Sequence, residues 1–85
     1  MTKHAKFLKR LMSGYSDADI AFDDLCSLLK QFGFQVRVHG DHQIFTRAGM
    51  VEIINLQPVN TKAKPYQVKQ VRNLLRKYQL DEEKE

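Results

Sequence analysis

The stretch Phe34-Gln35-Val36-Arg37-Val38-His39-Gly40-Asp41-His42-Gln43-Ile44-Phe45-Thr46-Arg47 decides the fold of this chain. Up to His39, Phe34, Val36 and Val38 alternate with Gln35, Arg37 and His39, the period of a strand with one covered face. Gly40-Asp41 is a two-residue hairpin signal, so His42 to Arg47 reads as the returning strand. That register makes His39 and His42 cross-strand neighbours. It also sets Val36 opposite Phe45 on the covered face and Arg37 opposite Ile44 on the other.

Downstream, Ala48-Gly49 turns the chain into a third strand, Met50 to Leu56, ended by Gln57-Pro58. A two-residue loop puts Ile54 and Leu56 beside Phe45 on the covered face, Ile53 opposite Ile44 and Asn55 opposite His42. It also sets Glu52 opposite Phe45, a poor pairing that a three-residue loop would relieve only by swapping the faces of the strand. Val59 to Lys64 reads as a polar connection. Pro65 then suits the first turn of a helix whose stripe is Val68, Val71, Leu74, Leu75 and Tyr78, ending near Leu80.

Upstream, Phe22, Leu25, Cys26, Leu28, Leu29 and Phe32 follow the helical period, with Asp23 and Asp24 in the first turn and Gly33 at the position of a left-handed cap. On that stripe Cys26 reads as a small core residue rather than a reactive thiol. Lys3 to Met12 is a short amphipathic helix built on Phe7, Leu8, Leu11 and Met12, broken at Ser13-Gly14 and followed by a polar loop to Asp19. The expected fold is α+β, a two-layer sandwich of order (α)-α-β-β-β-α. Both long helices cover one face of a three-stranded antiparallel sheet. The chain, 1–85, is expected to be a single domain: an extra N-terminal helix over 1–14, a core over 20–80 and an acidic flexible tail over 81–85. The other sheet face is left open and presents Arg37, His39, His42, Ile44, Ile53 and Asn55.

Composition narrows the function. With 42% hydrophobic and 28% charged residues in 85, the chain is globular, neither disordered throughout nor fibrous. No apolar run approaches the roughly 20 residues of a membrane span, and no apolar core follows Lys3 and Lys6 to make a signal peptide. A soluble, cytoplasmic protein is expected, with no membrane partner. One cysteine can form neither an internal disulfide nor, alone, the usual Cys/His zinc site. Residues 25–80 hold nine basic side chains against two acidic ones, while the acids cluster at Asp17 to Asp24 and in the tail. Such a field favours a polyanion, most commonly nucleic acid. Lys69, Arg72 and Arg76 recur at spacings of three and four along one helix face, and Lys62 and Lys64 precede them. They are candidate phosphate contacts, the plain alternative being a solvated face.

No Gly-rich phosphate loop, nucleophile elbow or spaced carboxylate pair is present, so most enzyme classes drop out. His4 lies in an N-terminus expected to fray and is assigned nothing. His39 and His42 bracket the tight turn amid positive charge. Histidine, with an ordinary pKa of about 6.5, can take or give a proton near neutrality. Beside a basic surface, such a group could take the proton of an RNA 2′-hydroxyl or give one to the leaving 5′-oxygen, with neither metal nor cofactor. DNA lacks that hydroxyl, and no direct DNA binding is expected of this chain alone. The alternative is that both are merely exposed histidines flanking a turn. A metal held by the pair with Asp41 is a weak third reading.

Gly40-Asp41-His42-Gln43-Ile44-Phe45, preceded by a helix and Val36-Arg37-Val38 and followed by Ile54-Asn55-Leu56-Gln57 and a basic C-terminal helix, resembles the HicA family of bacterial toxins. The likeness spans about Leu25 to Leu80 and rests on the order of elements as much as on the short Gly-Ser-His-x-x-aromatic motif. It implies a double-stranded-RNA-binding-like fold and an mRNA interferase of a type II toxin–antitoxin system, held inactive by a HicB-like antitoxin. His42 would be the single catalytic histidine and Phe45 the covered aromatic. The family serine before the histidine is Asp41 here, a carboxylate that would favour the imidazolium and alter its acid/base role, or mark a variant with weak or no nuclease activity. RNA backbone contacts are expected from Arg37, His39, Lys62, Lys64, Lys69, Arg72 and Arg76. An antitoxin is expected over the outward-facing Ile44 and Ile53 together with His42. The runner-up is a non-catalytic RNA-binding module of the same fold.

Overall fold

The computed structural model describes residues 3–80, and the expected acidic tail at 81–85 lies outside them. The order is α1 (Lys3–Ser13), a 3-10 turn at Asp17–Asp19, α2 (Phe22–Gln31), β1 (Gln35–His39), β2 (His42–Thr46), β3 (Ile54–Leu56), β4 (Pro58–Val59), β5 (Lys62–Ala63) and α3 (Pro65–Lys77). This is the α+β, double-stranded-RNA-binding-like architecture, with a three-stranded antiparallel sheet ordered β1-β2-β3. None of the described helices is long and apolar enough to cross a membrane.

Alternation sorts the sheet into two faces. Phe45, Ile54 and Leu56 are fully buried, and against them pack Leu25, Leu28 and Leu29 of α2 and Val68, Val71 and Leu75 of α3. Phe7 and Leu11 of α1 join the same core. Cys26 is buried there as expected, and burial pushes its thiol up to about 11. Gly33, at φ +89, ends α2 in the left-handed conformation that a side chain would resist.

The first hairpin has the expected register, with His39 opposite His42, Arg37 opposite Ile44 and Val36 opposite Phe45. Gly40 takes φ +65 while Asp41 does not, so only the first central residue of the turn needs the glycine. Val38 alternates onto the covered face but is 70% exposed near the hairpin end.

The third strand is shorter than expected and paired two residues further along: Ile54 faces Phe45, Asn55 faces Ile44 and Leu56 faces Gln43. A shift by two keeps every side chain on its face, so Ile54 and Leu56 are covered as expected. The reason lies in Glu52. In the connection before β3 it reaches α3, where Lys77 Nζ and Tyr78 Oη both donate to its carboxylate, instead of sitting beside buried Phe45. Ile53 consequently falls in the connection, 59% exposed, and is not opposite Ile44.

The expected polar connection is a small hairpin. Asn60 adopts φ +56 at its turn, a conformation asparagine tolerates. Ala63 N–H donates to Ile20 O (2.9 Å) and Phe22 N–H to Thr61 O (2.9 Å), stitching β5 to the entry of α2. His4, expected to fray, lies within α1 with its Nε2 3.1 Å from Ser27 Oγ.

Candidate functional site: the hairpin histidine and its surroundings

The type of turn at Gly40-Asp41 starts β2 at His42, which places the imidazole on the open face at the hairpin end. Its side chain is 43% exposed. His42 Nδ1 and Asn55 Oδ1 lie 2.9 Å apart, and since the amide oxygen can only accept, Nδ1 donates. Asn55 is the diagonal neighbour of His42 on the same face, a separation that a long side chain spans. The second ring nitrogen, Nε2, is 3.8 Å from Asp41 Oδ1, outside hydrogen-bond reach.

Asp41 is held from the other side. Gln57 Nε2 donates to its Oδ2 (2.8 Å), and this bond, ahead of the charges of His42 and Lys64, keeps the carboxyl below its ordinary range. Lys64 Nζ in turn donates to Gln57 Oε1 (3.2 Å). Buried Gln67 anchors the set, its Oε1 accepting from the Gln57 backbone N–H (3.2 Å). Thus a buried residue of α3 fixes Gln57, and Gln57 joins Lys64 to the hairpin turn. Arg37 and His39 stand exposed on the same open face, and Ile44 is half-buried between Arg37 and Asn55.

The remaining cations do not form the single row that their spacing implies. Arg72 is turned into the protein, 8% exposed, making a two-pronged pair with Asp17 (Nη1 to Oδ1 2.7 Å, Nη2 to Oδ2 3.0 Å) and donating to Leu11 O (3.3 Å). The guanidinium, above burial, holds the Asp17 carboxyl below its ordinary range. Arg72 is therefore engaged by the N-terminal segment and closed to a phosphate, a correction to the expected contact set. Arg76 remains exposed but donates to Met12 O (3.1 Å). Lys62 is ion-paired with Asp19, which also accepts from Arg10 (3.2 Å). Lys69 is exposed on α3.

Sequence reasoning brought together His42, His39, Arg37 and Lys64, and missed the parts of Asn55 and Gln57. Asn55 lies on the open face as expected, but the shift of β3 by two residues sets it opposite Ile44 rather than His42 and brings Gln57 to the turn. Among the described residues no group of three His, Cys, Asp or Glu side chains is placed to hold a metal ion, and the pair with Asp41 does not make one.

A family model described as the HicA toxin of bacterial toxin–antitoxin matches residues 22–80. No curated protein and no solved structure gives a match. The matched segment holds α2, the sheet and α3, while α1 and the 3-10 turn precede it.

Proposed function

The chain belongs to the HicA toxin family of bacterial toxin–antitoxin systems, and from that premise we propose that it is a metal-independent endoribonuclease, an mRNA interferase in which His42 moves the proton. One observation carries the reading: an imidazole 43% exposed at a hairpin end, held through one nitrogen by a neutral amide while the other makes no hydrogen bond with its neighbouring carboxylate. In the reaction the RNA 2′-oxygen bonds to phosphorus and the bond from phosphorus to the 5′-oxygen breaks. His42 takes the 2′-proton as a base or supplies a proton to the leaving 5′-oxygen as an acid. The products are a 2′,3′-cyclic phosphate and a 5′-hydroxyl.

Arg37, His39 and Lys64 flank the histidine and hold the RNA backbone, with Lys69 and Arg76 extending the track along α3. Lys62 joins them by exchanging exposed Asp19 for phosphate, since such a surface pair is worth little. A HicB-like antitoxin covers the open face over Ile44 and His42 together with exposed Ile53 in the connection before β3, blocking RNA physically.

Cleavage of a defined RNA in excess chelator tests the reading. His42→Ala should lower the rate about 10²- to 10⁴-fold, the usual contribution of one general acid or base, with RNA affinity kept. An undiminished rate sinks it. Asp41, where the family motif carries serine, favours one competing reading, a non-catalytic RNA-binding module. Binding that weakens steeply with salt, with no cleavage by the parent, selects that module instead.

A further inference from the structure

We propose that Asn55 is a positioning residue for His42: it holds the ring in the Nδ1–H tautomer, so that Nε2 is the nitrogen that exchanges a proton with RNA. The inference deepens the ribonuclease reading and rests on it. Three observations converge. The Nδ1 to Oδ1 distance of 2.9 Å is that of a well-formed hydrogen bond, and an amide oxygen carries no proton to give. Asn55 sits in β3, in register with Ile44, so its side chain starts from a strand rather than a mobile loop. The fully buried Ile54 and Leu56 on either side fix that strand against the core.

The chemistry follows from which proton is engaged. A histidine used as a base needs an unprotonated nitrogen facing the substrate, and the bond made by the other nitrogen decides which one that is. Free histidine in water favours the proton on Nε2, which leaves the wrong nitrogen available if RNA meets the ring at its outer edge. Accepting from Nδ1 reverses that preference. An amide achieves this without bringing a charge to the ring. The charged and titratable groups around it are Asp41 in the turn, His39 across the hairpin, Arg37 on the same face and Lys64 linked to Asp41 through Gln57. Gln57 complements the arrangement by tethering the Asp41 carboxylate, 3.8 Å from Nε2, on its far side.

The tautomer is read directly from imidazole ¹⁵N chemical shifts of the full-length, ¹⁵N-labelled protein at a pH where His42 is neutral. The parent should show Nδ1 protonated and Nε2 bare. Asn55→Leu, similar in size but unable to accept, should return the ring to the Nε2–H form and lower kcat about tenfold with KM for RNA little changed. Asn55→Asp should keep the Nδ1–H form and move the His42 midpoint of the pH–rate profile upward by about one pH unit, because a carboxylate stabilises the imidazolium. An Nε2–H parent, as when the amide nitrogen donates to Nδ1, overturns the proposal. So does an Asn55→Leu variant with the tautomer and kcat of the parent. If the parent cuts no RNA, the ribonuclease reading falls, while the shifts alone still decide whether Asn55 sets the tautomer.

Discussion

The hairpin end and the N-terminal flank of α3 handle polar side chains in opposite ways. At the hairpin, the neutral amide of Asn55 holds His42, that of Gln57 joins Asp41 to Lys64, and the imidazole keeps 43% of its surface exposed. At the flank, Asp17 and Asp19 take up Arg72, Lys62 and Arg10 directly, and backbone carbonyls of α1 take up Arg72 and Arg76. The first region orders charges without neutralising them and so leaves them able to meet a substrate. The second commits buried Arg72 to holding the 3-10 turn and α1 against α3, while its exposed members, Lys62 and Arg76, can still exchange their partners for phosphate. A cation is closed to phosphate where the fold has supplied its anion in a buried pair.

Paired substitutions sharpen this contrast. His42→Ala should remove RNA cleavage by about two orders of magnitude or more while leaving the melting temperature within a degree or so, because a half-exposed ring contributes little packing. A fall in Tm as large as that of a core variant would show that the hairpin site is a structural element after all.

Next in size, Arg72→Ala should destabilise by about 2 to 3 kcal/mol, on the order of 10 °C in Tm, since it strands a partly buried Asp17 and removes three hydrogen bonds. RNA affinity per folded molecule should hardly change. A specific loss of RNA binding at unchanged Tm would break the comparison and return Arg72 to the phosphate track.

Lys64→Ala should weaken RNA binding and lower the slope of log affinity against log salt by about one, whereas Lys62→Ala, already opposed by Asp19, should lower it by less. Equal slopes for the two variants would mean that the Asp19 pair gives no protection.

The smallest effect belongs to Glu52. Lys77 first and Tyr78 second lower its carboxyl from 4.5 to about 2, so the stabilisation is complete above pH 4.5 and is lost as pH falls through 2. The Tm difference between the parent and Glu52→Gln should therefore be constant above that window and close within it. A difference independent of pH would refute the linkage.

The first hairpin was legible because two local rules agree on it: alternation from Phe34 to Thr46 and a glycine turn of fixed length. The third strand was legible in its faces, through Ile54 and Leu56, but not in its row, because Glu52 finds its partners on α3 through contacts that no local pattern encodes. The β4–β5 hairpin escaped for the same reason, being held by Ile20 and Phe22, although Asn60 between Val59 and Lys62 was a usable turn signal. Helical spacing put Arg72 on a line with Lys69 and Arg76 but could not say what covers it. Its partner Asp17 is 55 positions away in sequence. For the candidate site, residue type and the turn sufficed to single out His42. Asn55 and Gln57 needed coordinates, because an amide gains a role only from the atoms it touches.

Cys26 sits 5% exposed in the core with its thiol pushed up to about 11, so in the native protein it is shielded from alkylating reagents and poor in thiolate at neutral pH. It is also the chain's one sulfhydryl. A reagent that tags it therefore waits for the helix around it to come apart. The labelling half-life then clocks how often this small protein opens, and a bound partner that slows the clock reports its own grip on the folded form.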